Sequence, residues 1–279
     1  QRLKKHIKEI LVSRNIMETI SWSFSNKNWE KLLNSGGEII EILNPISAEL
    51  SCLRTNLVGG LLNLINKNNN KNIQNISVFE LGPIFTGSKP GEQLECLTVI
   101  RSGKAIEKNW TSKNRDFDIF DLKSDLFSVL KILQIPIENL EIKTEKKNYY
   151  HPGKSGAFFY KGKKIASIGE LHPNIGKFFR IKNCTSLLEL YLSELFIFCK
   201  EEPDTRRRLI QSPFQISKRD FSFEIDKKLS SMDLVNHIIK IDEDIITSVN
   251  VFDNYEYEHT RAIAIQVVMQ SKEKTLTDE

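Results

Sequence analysis

The sequence lacks the residue patterns that usually hold metals. Its four cysteines are scattered without a CxxC pair, and its five histidines form neither an HxxxH nor an HExxH arrangement. Zinc sites are built from closely spaced thiol and imidazole ligands, so no dedicated zinc site is expected. The wide spacing of the cysteines indicates ordinary buried thiols rather than disulfides, which predicts a reducing, cytoplasmic location.

Long apolar runs and the common catalytic motifs are missing as well. No apolar stretch approaches the roughly 20 residues that span a bilayer, and no signal-peptide pattern opens the chain. There is no GxxxxGK or GxGxxG phosphate loop, no GxSxG elbow and no kinase motif set. These absences argue against a membrane partner and against the best-known nucleotide-dependent and hydrolytic enzymes.

What the chain does contain is typical of a soluble globular protein. Its 279 residues are 40% hydrophobic and 27% charged, enough for one large domain or two ordinary ones. Lys and Arg number 40 against 36 Asp and Glu, a net charge of +4. This mild excess permits a nucleic-acid partner but does not require one.

Residues 1–202 are predicted to form an α+β core domain. Apolar residues at helical spacing predict helices over 3–15, 57–65 and 116–133, with Phe120 pointing inward. Alternation predicts a strand in which Ile20 and Trp22 are buried. Further strands are predicted at 39–43, 76–81, 94–101, 157–160, 164–168 and 186–191. Because strands do not alternate regularly with helices, a mostly antiparallel sheet is favoured over a doubly wound one.

A second domain is predicted after a charged, proline-containing linker at 203–208, which includes three consecutive arginines. Over 209–279 the pattern is strand, helix, strand, strand and then a helix start at Thr275, which predicts an incomplete ferredoxin-like split βαβ domain. Its last helix and strand would lie beyond Glu279. Because the chain also starts with Gln1 rather than Met, we expect a segment of a longer polypeptide.

Two groups of residues invite a functional interpretation. His151 and His172 each precede proline, and we interpret both as turn residues, since neither has a nucleophile or metal partner nearby in sequence. Candidate RNA contacts are arginines that grip phosphates and tyrosines that stack on bases: Arg219, Tyr255, Tyr257 and Arg261. The arginines of the linker are equally consistent with ordinary surface charge. Acidic residues beside Phe221 and Phe223 would repel phosphates, so RNA should approach by the loops or the sheet edge.

Several longer strings resemble one protein family. They are NPISAELSCLRTNL at 44–57, VFELGPIF at 78–85, HPGKS at 151–155, GELHP at 169–173, Pro213 with KRD at 218–220, VFD at 251–253 and TLTDE at 275–279. In this order, and over essentially the whole chain, they resemble the β subunit of bacterial phenylalanyl-tRNA synthetase.

The resemblance implies a fold and partners. The first region would be a class II synthetase-like core that has lost its catalytic residues and packs against the α subunit of an α2β2 heterotetramer. The second would be an anticodon-binding module. This sequence has no glycine-rich, arginine-ended stretch near Gly169 and no arginine in the family position after Glu80, in agreement with such a loss. Lys154 stands where the family commonly has arginine, so a bidentate contact there would not survive.

The resemblance also implies which functions of the enzyme this segment would and would not supply. The whole enzyme would join phenylalanine to its tRNA using ATP and magnesium, with the magnesium ligands of the β chain upstream of Gln1 and no cofactor in this segment. This portion would supply anticodon-side contacts and a subunit interface, for which we predict the apolar residues of the early helices: Leu3, Ile7, Leu57, Leu61 and Leu62. The alternative is a stand-alone RNA- or protein-binding module with a degenerate synthetase-like fold. It explains the missing catalytic motifs equally well but the ordered strings less well.

Overall fold

The chain divides into two compact units, Gln1–Thr205 and Arg206–Glu279. The structure, a computed structural model, describes residues 2–34, 37–201 and 211–276. The predicted linker at 203–208 and the acidic end of the predicted helix start lie outside these ranges. Within them, no helix combines the length and the apolar character needed to cross a membrane.

The first unit is built around a seven-stranded sheet. Its helices are α1 (Arg2–Ser13), α2 (Lys27–Leu33), α3 (Val58–Asn69), α4 (Ile119–Ile132), α5 (Pro173–Phe178) and α6 (Leu192–Glu201). Its strands are β1 (Met17–Glu18), β2 (Phe24–Ser25), β3 (Cys52–Leu53), β4 (Ile76–Phe85), β5 (Gln93–Ser102), β6 (Lys104–Ile106), β7 (Arg115–Asp116), β8 (Glu141–Lys143), β9 (Tyr150–Tyr160), β10 (Lys163–Leu171) and β11 (Thr185–Tyr191). The sheet order is β1-β4-β5-β11-β10-β9-β8, antiparallel except for the β1–β4 pair, which confirms the predicted mostly antiparallel sheet.

Successive residues of a strand point to opposite sides of a sheet. Both faces of this sheet therefore carry apolar side chains, and helices cover both. On one face Phe79 and Leu97 pack with apolar residues of α1, α4 and α6. On the other, which we call the α3 face, Val78 and Ile100 pack with α2, α3 and α5. Each layer is a separate apolar cluster, so the sheet is the shared wall of two cores.

The predicted strand around Ile20 and Trp22 is wrong. Only Phe24 and Ser25 form a strand there, and Ile20 and Trp22 are 85% and 65% exposed. The cause is Ser21, whose backbone amide and hydroxyl donate to the buried carboxylate of Glu80. Because Ser21 turns inward to this acid, its apolar neighbours point to solvent.

Three smaller expectations also need correction. Phe120 is mostly exposed rather than inward, although Leu126 and Leu130 of α4 are buried as an amphipathic helix requires. The predicted strand at 39–43 is reduced to a single bridge between Glu41 and Cys52. The helix predicted to end at Ile65 continues to Asn69.

Over residues 211–276 the second unit is a three-stranded sheet with one helix. Its elements are β12 (Ser217–Asp226), α7 (Ser231–Ile239), β13 (Ile246–Glu256) and β14 (Thr260–Met269), with the strand order β12-β14-β13. The Ser230 hydroxyl accepts the backbone amide of Asp233 and caps α7. Ile263 and Ile265 are fully buried beneath this layer. The strand, helix, strand, strand order confirms the predicted ferredoxin-like arrangement over the described residues.

Candidate functional site

A row of polar side chains crosses the middle of the α3 face. Glu80 on β4 lies opposite Thr98 on β5, Thr98 opposite Glu189 on β11, and Glu189 opposite Ser167 on β10. All four residues are buried. We call them the polar row. Buried polar groups require hydrogen-bond partners, so the partners of this row define its chemistry.

Arg54 neutralises the first acid of the polar row. Its Nη1 lies 2.6 Å from Oε1 of Glu80, and its Nε donates to the carbonyl of Pro83 over 2.9 Å. The Ser21 hydroxyl donates to the other carboxylate oxygen over 2.8 Å. Gly82 makes room for the guanidinium, since a Cβ at that position would lie 2.4 Å from Nη2 of Arg54. The charge is therefore fully enclosed and paired.

The second acid, Glu189, is the hub of a larger cluster. Three donors converge on its Oε2: the Lys147 ammonium at 2.7 Å and the hydroxyls of Tyr149 and Tyr150 at 2.8 and 2.7 Å. Lys147 comes from the loop between β8 and β9, whereas Glu189 stands in the central strand β11. We call this cluster, with Tyr191, the Glu189 centre.

A third carboxylate, that of Glu145, lies at the Ser167 end of the polar row. Oε2 of Glu145 accepts from the Ser167 hydroxyl over 2.6 Å and also from the ammonium of Lys164. The Ser167 hydroxyl lies 3.4 Å from that of Tyr191, which links this pair to the Glu189 centre. Burial raises the pKa of Glu145, but the Lys164 and Ser167 hydrogen bonds outweigh this and lower it.

Charges within the Glu189 centre shift the pKa values of its members. Burial lowers the pKa of Lys147, but the charge and hydrogen bond of Glu189, together with the neighbouring tyrosines, outweigh burial and raise it well above its ordinary value. Burial and Glu189 together raise the pKa of Tyr191 to about 12, and those of Tyr149 and Tyr150 well above their ordinary value. At neutral pH Lys147 is thus an ammonium and the three phenols are neutral.

This arrangement does not fit a magnesium–nucleotide site. Magnesium needs carboxylate oxygens that can face the ion, but the carboxylates of Glu80, Glu145 and Glu189 already bind cations of their own chain. Among the described residues, no group of three or more His, Cys, Asp or Glu side chains is placed to hold a metal ion. The carboxylates of the row therefore act as charge-paired groups in the core of the sheet.

Of the two proline-linked histidines, His172 caps α5 as a turn residue would, whereas His151 lies inside strand β9 rather than in the predicted turn. Nδ1 of His172 accepts the Asn174 amide over 3.1 Å at the start of α5, and Nδ1 of His151 accepts the Gly153 amide over 3.2 Å. These contacts give each imidazole a structural role.

The residues predicted for the subunit interface lie in the chain's own core. Ile7 is fully buried on the α1 side and Leu3 packs against the same cluster, whereas Leu61 and Leu62 are buried on the α3 face. Leu57 belongs to a third small cluster beside β4. Apart from Leu3, which is partly buried, these side chains are already covered and offer a partner no surface of their own. Any contribution to an interface would come through the helices that carry them.

The structure brings two of the predicted RNA-contacting residues together. Tyr255 and Tyr257 lie where β13 turns into β14, with ring centroids 5.0 Å apart and planes at 63°. They are 63% and 50% exposed. The amide of Tyr257 donates to the carbonyl of Thr260 over 2.9 Å and closes the hairpin. The pair is an exposed aromatic surface at the loop end of the sheet, where the sequence predicted that RNA would approach.

The two arginines lie elsewhere. Arg261 is opposite Ile225 on the face that also carries Ile263, whereas Tyr255 is opposite Ala262 on the other face. Nη2 of Arg261 donates to the carbonyl of Leu229, so Arg261 connects the loop before α7 to the sheet. Arg219 is opposite Val267, six positions along β12 from Ile225, or roughly 20 Å at the usual rise per residue. The four residues do not form one patch.

The face that carries the tyrosines is acidic. Glu224 on β12 lies opposite Ala262, in the same cross-strand row as Tyr255, and Asp253 shares this face farther along β13. Asp220 accepts the side-chain amide of Gln266 over 3.1 Å on the same face. Phosphates are repelled by such a surface, so a base is the part of an RNA that suits Tyr255.

Sequence reasoning missed the Glu189 centre entirely. One indication was available: Glu189 is an acid within the otherwise apolar string SLLELY at 186–191. An acid in a buried strand needs a partner, but Lys147 is 42 positions away and no spacing rule connects the two.

Two family sequence models match the chain. One is described as the phenylalanyl tRNA synthetase beta chain CLM domain and matches residues 1–192; the other, the ferredoxin-fold anticodon binding domain, matches residues 212–279. Two solved structures of pyrrolysyl tRNA synthetase from Desulfitobacterium hafniense superpose with a TM-score of 0.56 at 15% identity, covering 72% of this chain and 68% or 69% of theirs. This likeness concerns the fold alone.

Curated relatives match over nearly the whole chain. Proteins named phenylalanine–tRNA ligase beta subunit are 30% identical in Paramagnetospirillum magneticum, over 100% of this chain and 36% of the relative, and 32% identical in Bradyrhizobium diazoefficiens, over 99% and 35%. The one in Ehrlichia canis is 31% identical over 98% and 35%. The chain thus spans little more than a third of these relatives' length. With the domain model covering 1–192, these matches place the chain in the phenylalanyl-tRNA synthetase beta chain family.

Proposed function

We propose that the chain is a non-catalytic portion of the β chain of a phenylalanine–tRNA ligase. The observation that carries this proposal is the order of its two matched domains, a synthetase-type core followed by a ferredoxin-fold anticodon-binding domain. The whole enzyme would be a cytoplasmic α2β2 heterotetramer that joins phenylalanine to its tRNA using ATP and magnesium.

The proposed absence of catalysis rests on the α3 face. The carboxylates of Glu80 and Glu189 are buried and paired with Arg54 and Lys147, so neither is open to a substrate or a metal. In the proposed enzyme, ATP would react on the α subunit, and magnesium bound by the β chain would lie in its upstream region.

The proposed subunit contact uses exposed apolar residues of the first unit. Trp22 and Ile20 are turned outward beside the Arg54–Glu80 pair, and Leu43 is 97% exposed in the loop that precedes β3. Large exposed apolar side chains are characteristic of protein interfaces. They suit the α subunit better than the buried leucines that the sequence suggested.

The proposed tRNA contact uses the loop end of the second sheet. Tyr255 and Tyr257 are exposed, close together and held on a closed hairpin, which suits stacking on unpaired anticodon-loop bases. The acidic residues on the face that carries the tyrosines repel phosphates, so the RNA backbone is not expected to run along this face.

Co-expression with the α subunit of the same organism tests the proposal. A tagged full-length β chain should co-purify with α at equal stoichiometry, and the complex should aminoacylate the phenylalanine tRNA. A β chain that folds and does not retain a folded α subunit would overturn the proposed assembly. A complex that forms but leaves this tRNA uncharged would overturn the proposed reaction.

A further inference from the structure

The ammonium of Lys147 lies inside a pocket made by other residues. Its Nζ is 5.3, 5.9 and 5.4 Å from the ring centroids of Tyr149, Tyr150 and Tyr191, and 2.7 Å from Oε2 of Glu189. Aromatic faces within about 6 Å of a cation attract it, and aromatic cages recognise ammonium groups in this way. A carboxylate among the rings adds a charge-assisted hydrogen bond. The chemistry is that of an ammonium receptor.

The walls of this pocket are held independently of Lys147. The hydroxyls of Tyr149 and Tyr150 donate to Glu189, and the carbonyl of Tyr149 accepts the amide of His172 over 2.9 Å. The Tyr150 ring packs on Gly169, where an added Cβ would lie 2.7 Å from it. Removal of the lysine stem would therefore leave a shaped cavity rather than a collapsed one.

The loop that carries Lys147 is also fixed. The Asn148 side chain donates to the carbonyls of Leu32 and Asn34 over 2.9 and 3.3 Å, and the amide of Tyr150 donates to the carbonyl of Lys147 over 3.1 Å. The stem thus enters the pocket from a turn that is anchored on both sides. The neighbouring Lys146 has an exposed side chain and lies outside the pocket.

We propose that Glu189, Tyr149, Tyr150 and Tyr191 form a binding site for an unbranched primary ammonium group, which Lys147 of the same chain permanently occupies. The lysine acts as a tethered ligand that closes the α3 face to external amines. This inference rests on the pocket geometry alone and does not depend on the proposed function.

The test replaces the tethered ligand with a free one. Lys147→Ala in the full-length protein removes three methylene groups and the ammonium, which n-propylammonium restores as a soluble probe. Saturation-transfer difference NMR should detect n-propylammonium on Lys147→Ala with roughly millimolar affinity, the weak range expected for so small a ligand. It should detect none on the unmodified protein or on the control Lys146→Ala.

Three comparisons distinguish a site that prefers an ammonium group from a cavity that binds any ligand of the same shape. n-Propanol matches the shape of the probe without its charge and should bind Lys147→Ala at least about tenfold more weakly, a factor equivalent to 1.4 kcal/mol. Lys147→Met refills the cavity and should abolish binding. Lys147→Ala with Glu189→Gln removes the carboxylate and should abolish the preference for the amine over the alcohol. Equal binding of amine and alcohol to Lys147→Ala, or no binding of either, overturns the proposal.

A measurement on the unmodified protein covers the case in which Lys147→Ala does not fold. Acetylation by an N-hydroxysuccinimide ester, followed by mass spectrometry, should modify Lys146 readily and Lys147 at least about tenfold more slowly, because the caged ammonium must first leave its partners. Equal rates at the two lysines would show that the site does not hold Lys147, and would overturn the proposal.

Discussion

Arg54 and Glu80 form a buried ion pair, with Nη1 of Arg54 2.6 Å from Oε1 of Glu80, that joins two strings separated in sequence. Arg54 belongs to the string at 44–57 and Glu80 to that at 78–85, both of which resemble the synthetase family. The pair also recruits Ser21 and so turns Trp22 to the surface. A single internal charge pair thus sets both the packing of the sheet edge and the exposed surface that we assign to a partner.

Breaking this pair should be strongly destabilising. Arg54→Met leaves the carboxylate of Glu80 buried without a cation, a change that typically costs about 3–5 kcal/mol. Denaturant unfolding measures the loss. The matched control is Glu141→Gln, which breaks the exposed pair with Lys143 and should change the free energy of unfolding by less than about 1 kcal/mol. Equal effects of the two variants would contradict the assigned burial.

Gly169 should not tolerate a side chain. The Cβ of Gly169→Ala would lie 2.7 Å from the ring of Tyr150, so the ring must move away from Glu189. Overpacking of this kind typically costs about 1–3 kcal/mol. Gly153→Ala is the control, since its Cβ would meet only the His151 ring, at 3.7 Å. The unfolding temperatures of the two variants test this prediction. A Gly169→Ala protein as stable as Gly153→Ala would refute the close contact between Gly169 and the Tyr150 ring.

Stability should fall at high pH through the Glu189 centre. A group whose pKa is higher in the folded than in the unfolded state contributes stability that is complete below its unfolded pKa and is lost as the pH rises through its folded pKa. For Tyr191 this window runs from the ordinary 10.0 to about 12, and Lys147 is shifted in the same direction. The free energy of unfolding should therefore decline across this window, by at most about 1.4 kcal/mol per pH unit for Tyr191.

Tyr191→Phe provides the control for the pH prediction. Phenylalanine keeps the ring beside Lys147 but cannot ionise, so the variant should lose stability less steeply between pH 10 and 12. The comparison is made by urea unfolding at a series of pH values. Identical slopes for the variant and the unmodified protein would mean that Tyr191 does not contribute.

Trp22→Ser should weaken binding of the α subunit without unfolding the chain. Trp22 is 65% exposed and makes its ring contact with Phe24 at 6.3 Å, so its removal leaves the sheet intact. The matched control is Trp110→Ser, because Trp110 is 96% exposed on the hairpin of β6 and β7. Quantitative co-purification should show loss of α only for Trp22→Ser; loss with neither variant would place the interface elsewhere.

The two arginines should respond differently in tRNA binding. Arg219→Ala should weaken tRNA binding and lower the magnitude of its salt dependence by about one unit, as expected for loss of one phosphate contact. Arg261→Ala should instead loosen the loop at Leu229 and lower the unfolding temperature of the second unit. Filter binding at several salt concentrations, together with calorimetry, distinguishes the two roles. An Arg261→Ala variant with full stability and a reduced salt slope would reverse this assignment.

Regular patterns were predictable from sequence, whereas contacts between distant residues were not. Ile263 and Ile265 alternate with Ala262, Ala264 and Gln266 on a strand covered on one side, and both isoleucines are buried. Ile20 and Trp22 show a similar alternation but are exposed, because Glu80 draws Ser21 inward. Local periodicity predicts which residues share a face of a strand. It does not predict which of the two faces is turned inward to pair with a buried charged residue.

The candidate sites follow the same division. Tyr255 lies near the end of β13 and Tyr257 just beyond it, so they are close in sequence, and the structure places their rings together. Arg261 and Tyr255 were grouped by chemistry alone, and the register of β13 and β14 puts them on opposite faces. Lys147 and Glu189 meet only through the tertiary fold.

The most direct measurement is the affinity of the assembled ligase for its phenylalanine tRNA when Tyr255 and Tyr257 are both replaced by alanine. Replacement of both by phenylalanine, which keeps the rings, is the control. Because stacking contributes about 1–3 kcal/mol per base, we expect the alanine variant to bind roughly tenfold or more weakly and the phenylalanine variant to bind normally. A folded alanine variant with unchanged affinity would contradict the assignment of this unit to the anticodon side of the tRNA.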